Sequence, residues 1–130
     1  MQKSYKNLDI TINTKGKLPR LPFVKMKEAI LGKKYELSVV FTDNATTKKL
    51  NLIYRNKNKS ANVLSFPLSP KNGEIFLSIK EIEKSSKIFN RRGDALVGLF
   101  LIHAMAHLKG HLHGSTMERI EERVLKAFHI

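Results

Sequence analysis

The sequence predicts an α/β (α+β) fold, a small mixed sheet packed on helices with one central buried helix. Three observations predict it. Short runs that alternate apolar and polar residues, or are rich in β-formers, are interspersed with runs of helical period. No repeat, low-complexity stretch or Pro/Gly/Ser-rich linker divides the 130 residues, a length that suits one core. Residues 95–108 are apolar nearly all round, the pattern of a helix enclosed on every side. The whole of 1–130 is therefore expected to be a single domain.

Taken in order, Leu8 to Asn13 (LDITIN) has the period of a half-buried strand. Leu21 to Leu31 reads as a helix with Phe23, Val24, Met26, Ala29 and Ile30 as its apolar positions, ended by Gly32. Tyr35 to Thr42 (YELSVVFT) is a second strand by composition. Asp43 or Asn44 caps a helix running to about Tyr54, whose apolar residues are Leu50, Leu52 and Ile53. Asn62 to Phe66 is a short strand stopped by Pro67, residues 70–73 a turn, and Glu74 to Ser78 a returning strand. Ile79 to Ser86 suits a short helix. Gly93-Asp94 opens the apolar helix, with Asp94 as its cap, and Met117 to Phe128 closes the chain as an amphipathic helix. That last helix is apolar at Met117, Ile120, Val124, Leu125 and Phe128.

Composition narrows the function. Without Cys there is no disulfide, no Cys-ligated zinc and no thiol nucleophile. The longest uninterrupted apolar run is Leu99 to Ile102, and even 95–108 falls short of the roughly 20 residues a membrane span needs. The opening MQKSYKNLDITINT has no apolar segment of a secretory signal. A soluble, cytoplasmic protein with no membrane partner is expected. The net charge is +13, from 24 Lys+Arg against 11 Asp+Glu. It is uneven: residues 1–60 hold 14 basic and 4 acidic side chains, residues 61–130 hold 10 and 7. Such a field draws in polyanions, of which nucleic acid is the commonest, although charge also serves solubility alone.

The chemistry concentrates in HAMAHLKGHLH, residues 103–113. His103 and His107 stand four apart, one helical turn above each other on one face. Gly110 then lets the backbone turn sharply, so that His113, or His111 two residues earlier, can fold back toward them. A single histidine on an apolar face is most often a core residue with ordinary hydrogen-bond partners. Two in a helix otherwise apolar, with a third beyond a glycine, are better satisfied by a metal. Three nitrogen ligands leave a fourth position open, as in a catalytic rather than a structural zinc site. His129, next to last, is read as a bystander.

The spacing H-x-x-x-H-x-x-G-x-x-H is that of zinc peptidases, which need Glu directly after the first His as general base. Here that residue is Ala104, which neither accepts nor donates a proton. With the positive charge, a phosphodiester is a better substrate than a peptide.

LNLIYRNKNKSANVLSFP, Leu50 to Pro67, resembles the LN-x-x-YR-x-K-x-K-x-T-[ND]-VLSFP signature of the YbeY family, bacterial metal-dependent endoribonucleases. His103 to His113 resembles that family's H-G-x-L-H-L-x-G-Y-D-H. Gly73 to Ser78 matches its G-[DE]-I-x-[IL]-S, and MERIEERVL its last helix. The departures are Ala61 for Thr, Ala104 for Gly, Ala106 for Leu, His111-Leu112 for Tyr-Asp, and a linker shortened to Gly114-Ser115-Thr116.

The resemblance implies His103, His107 and His113 as ligands of one zinc ion. It implies Arg55 as the arginine of the substrate groove, a role its always-charged, bidentate guanidinium suits. Lys57 and Lys59 would extend the RNA contact, though solvated lysines need no function. Ser65 reads as a strand serine lining the groove. The implied activity is cleavage of single-stranded RNA in maturation of the 16S rRNA 3′ end and in ribosome quality control, with the ribosome or ribosomal proteins as partners. The alternatives are a ribosome- or RNA-binding protein with a mainly structural zinc, and a metal-dependent hydrolase of another class.

Overall fold

A computed structural model describes residues 1–110 and 115–130, with side chains except at 115–117. Three parallel strands form its middle: β2 (Leu8–Ile12), β3 (Glu36–Phe41) and β5 (Asn72–Leu77), after β1 (Gln2–Tyr5) and around β4 (Val63–Ser69). The sheet order is β1-β2-β3-β5-β4, with β1 and β4 antiparallel edges. Register sets one face: Ile10 stands beside Val39, and Val39 beside Ile75, all but excluded from water. Each such side chain contributes on the order of 1.5–3 kcal/mol by leaving water.

The helices are α1 (Phe23–Ile30), α2 (Asn44–Arg55), α3 (Ile79–Glu83), α4 (Ser86–Phe89), α5 (Gly93–Leu108) and α6 (Ser115–Ala127). α5 is the central buried helix that its composition predicts: it packs against β4, β5, α1, α3 and α6, and Leu101, Ile102 and Met105 are fully buried. It approaches the sheet closely at Gly73, where a Cβ would lie 2.6 Å from the Tyr35 hydroxyl and 3.0 Å from Leu108. Only a residue without a side chain fits there. No described helix is long and apolar enough to cross a membrane.

Several local readings need correction. The periodicity gives no sign of β1, because QKSY is exposed at every position on an outer strand and carries no alternation. Pro67 does not stop β4; the strand runs on to Ser69, since an edge strand with a register shift tolerates the missing N–H. The helix expected over 79–86 divides into α3 and α4. Asp94 lies inside the first turn of α5, and Arg92 occupies the cap position without a side-chain bond. In α1, Ala29 is exposed and Lys27 is buried, its ammonium donating to the Lys33 carbonyl at 2.9 Å. In α2 the buried residues are Thr47 and Asn51, while Leu52 and Ile53 are exposed. The cap of α2 is Asp43, whose carboxylate accepts from the Thr46 N–H at 2.8 Å. Hydrogen bonding from Thr46, through its side chain first and its backbone N–H second, holds the Asp43 carboxyl below its ordinary pKa.

Candidate metal and phosphate site

α2 ends at Arg55, and Asn56 turns the chain in a left-handed conformation (φ 55°) into a loop that leads to β4. Two buried polar residues of α2 hold that loop. The Asn51 side-chain amide donates to the Lys59 carbonyl at 3.0 Å, and the Thr47 hydroxyl accepts from the Ala61 N–H at 3.2 Å. The Ser78 N–H, at the end of β5, donates to the Asn62 carbonyl at 3.0 Å. Backbone groups that would otherwise lack partners are thus satisfied, which fixes the path of Lys57 to Asn62.

α5 brings the other side of the site. His103 and His107 face the gap between β4 and α6, with their Nε2 atoms 3.2 Å apart and their rings at 80°. The Nδ1 atom of His103 meets a carboxylate oxygen of Glu121, on α6, at 2.5 Å. A carboxylate there favours hydrogen on Nδ1 and leaves the Nε2 lone pair directed away from Glu121. The His103 ring and the Glu121 carboxylate are both partly exposed.

That cleft, about 330 Å³, is lined by Arg55, Asn62, Ser65, Phe100, His103 and His107, with Ala104 and Val63. Arg55 from α2 and the two histidines from α5 therefore share one cavity, although 48 positions separate Arg55 from His103. Lys57 and Lys59 line a second cleft of about 360 Å³, which adjoins the first through Arg55, Asn62 and Val63 and also holds Lys84. Ser65 faces the first cleft from β4 and pairs with Ile75 in the ladder. His129 is exposed in the last turn. His111, Leu112, His113 and Gly114 lie outside the described residues, while Ser115 and Thr116, expected in a linker, already belong to α6. Gly110 does take the positive φ, 95°, that a sharp turn after α5 requires.

The donors present fit a divalent ion. Tetrahedral zinc with Zn–N bonds near 2.0–2.1 Å spaces two ligand nitrogens by about 3.3 Å, and the two Nε2 atoms are 3.2 Å apart. Among the described residues no group of three His, Asp or Glu side chains surrounds such a point.

Sequence reasoning missed two participants. Glu121 lies on the buried stripe of α6, four residues after Met117 and three before Val124, and a carboxylate among apolar positions was its legible signal. Lys84 carried no signal, because its proximity to Lys57 and Lys59 depends on how α3 packs.

The sequence model of the family described as Endoribonuclease YbeY matches residues 6–129. The protein called Endoribonuclease YbeY from Alkaliphilus oremlandii is 32% identical over 111 residues, covering 74% of this chain and 74% of that protein. Its namesake from Clostridium botulinum is 32% identical over 136 aligned positions, covering 81% and 82%. The solution structure of TM1509 from Thermotoga maritima shares the fold, with a TM-score of 0.61 at 22% identity, over 92% of this chain and 87% of that one.

Proposed function

Since the chain belongs to the Endoribonuclease YbeY family, a family of RNA-cleaving hydrolases, we propose that it is a metal-dependent endoribonuclease of single-stranded RNA. The observation that carries the reading is the shared cleft: one cavity holds Arg55 and two imidazole nitrogens spaced for a metal ion. His103, His107 and His113 hold one zinc, with residues 1–130 forming a single such unit. The biological substrate is precursor rRNA at the 16S 3′ end, processed in the cytoplasm with ribosomal partners and in ribosome quality control.

When bound, the ion supplies positive charge against the negative charge that develops on the phosphodiester. The chain's own groups do the rest. Arg55 grips two phosphate oxygens through its fork of N–H donors and fixes the scissile group over the histidines. Lys57, Lys59 and Lys84 receive the neighbouring phosphates in the adjoining cleft. Glu121 orients the His103 ring, so that its Nε2 stays a lone-pair donor. The Asn51 and Thr47 bonds keep the loop, and with it the end of α2, in place before substrate arrives.

The test is to incubate zinc-loaded protein with a single-stranded RNA and with a duplex of the same sequence, with and without chelator. Cleavage of the single strand that chelator abolishes supports the proposal. Binding without cleavage would favour the second reading, an RNA-binding protein with a structural zinc. One feature favours that reading: Leu112 stands where the family has Asp, and it cannot hydrogen-bond to a ligand or a water.

A further inference from the structure

The sheet has a second face, and its edge carries a row of aromatic rings. Tyr54, in the last turn of α2, packs on Phe66 of β4 with centroids 5.3 Å apart, and Phe66 packs on Phe76 of β5 at 5.9 Å. Phe66 and Phe76 are half-buried and act as backing; Tyr54 is 67% exposed. Tyrosine so exposed leaves a large apolar ring in water, an arrangement that core packing does not require.

The row is joined to the cleft at two places in the chain. Arg55 lines the cleft and Tyr54 precedes it; Ser65 lines the cleft and Phe66 follows it. Because β4 is the outermost strand, its alternating side chains place Ser65 on the cleft side and Phe66 on the other. A strand crossing that edge would pass from one to the other. The segment that carries the ring is cationic: Lys48, Lys49, Arg55, Lys57 and Lys59 are all exposed on α2 and the loop after it. An exposed ring on so cationic a segment matches a polyanion bearing flat bases, and the charge disfavours a second copy of this basic chain.

We propose that Tyr54, backed by Phe66 and Phe76, is a stacking platform for a base of single-stranded RNA, next to the phosphate held at Arg55. The inference rests on the reading that RNA is the substrate, and it adds a determinant of strand preference, because a base in a duplex presents no free face. Stacking on one aromatic ring is worth about a tenfold gain in affinity or more, and it tolerates any base.

The test measures binding, not cleavage. Zinc-loaded full-length protein is titrated with a labelled 2′-O-methyl oligouridine and with a ribose-phosphate chain of equal length and charge that bears no bases. Wild type should bind the base-bearing chain about tenfold more tightly. Tyr54→Ala should lose most of that preference, and Tyr54→Trp should keep it. The ratio should hold from about 50 to about 200 mM salt, because stacking releases no counterions, whereas Arg55→Ala should weaken both chains and flatten the salt dependence. Unchanged preference in Tyr54→Ala would overturn the proposal. So would a shift of that variant from dimer to monomer in sedimentation with RNA binding intact, which would make the row a protein contact. A Tyr54-dependent base preference in a protein that cuts no RNA would support the platform while counting against the nuclease reading.

Discussion

The Nδ1 of His103 sits 2.5 Å from a carboxylate oxygen of Glu121, so α6 orients one of the two imidazoles that α5 brings to the cleft. α6 closes the site as well as the core: Val124 buries against α5 one turn beyond Glu121, and the same packing that hides the valine delivers the carboxylate.

Glu121→Ala is therefore expected to weaken zinc binding by about 10- to 100-fold, the usual cost of losing a partner behind a ligand histidine. Competition against a chromophoric chelator reads the constant directly. Glu121→Gln should recover part of the loss, because an amide oxygen still accepts from Nδ1–H.

The third ligand is settled by a pair of variants in the same titration. His113→Ala should lose zinc affinity by at least as much as Glu121→Ala, and His111→Ala should bind nearly as wild type. The reverse order would assign the ligand to His111.

Arg55→Lys separates charge from geometry. A point charge cannot reproduce a bidentate grip, so cleavage should fall by about 10²-fold, as for loss of one aligned donor. Zinc content should not change, since Arg55 is no ligand. Single-turnover rates alongside metal analysis check both.

Asn51→Ala removes the bond to the Lys59 carbonyl and leaves that acceptor with one partner fewer. It should cost about 1–3 kcal/mol of stability, read by chemical denaturation, and also weaken RNA binding, because the loop with Lys57 and Lys59 loosens. Lys59→Ala, which deletes only a side chain, should weaken binding at unchanged stability.

Lys27 provides a pH test of the fold. Burial lowers its pKa below the ordinary 10.5, so the unfolded chain binds the proton more tightly than the folded one. The charged form then penalises the folded state at neutral pH, and stability rises as pH climbs through the folded pKa toward 10.5. Lys27→Met should stabilise the protein at pH 7, because it removes the buried charge. The gap between variant and wild type should narrow in denaturation experiments near pH 10.

Legibility followed the local signals. The all-round apolar run of α5 and the alternation LDITIN each read correctly, because burial there follows directly from residue order. α2 misled for a physical reason: its buried side is polar, since Thr47 and Asn51 serve a loop rather than a core, and its apolar Leu52 and Ile53 point to water. Lys27 misled in the same way, its charge hidden by one carbonyl six residues on. In the site, the i,i+4 spacing of His103 and His107 was visible in the sequence. Their meeting with Arg55 and Glu121 depends on how α5 packs against β4 and α6, a tertiary relation that no local pattern encodes.

Arg55 and the histidine pair share one cleft, and it is this cleft that should cut single-stranded RNA. The most direct test is the single-turnover rate on a labelled single-stranded RNA for zinc-loaded wild type, Arg55→Ala and His107→Ala prepared in parallel. Wild type should cleave, Arg55→Ala should lose about 10²-fold or more, and His107→Ala should lose nearly all activity. Undiminished cleavage in both variants would contradict that role for the cleft.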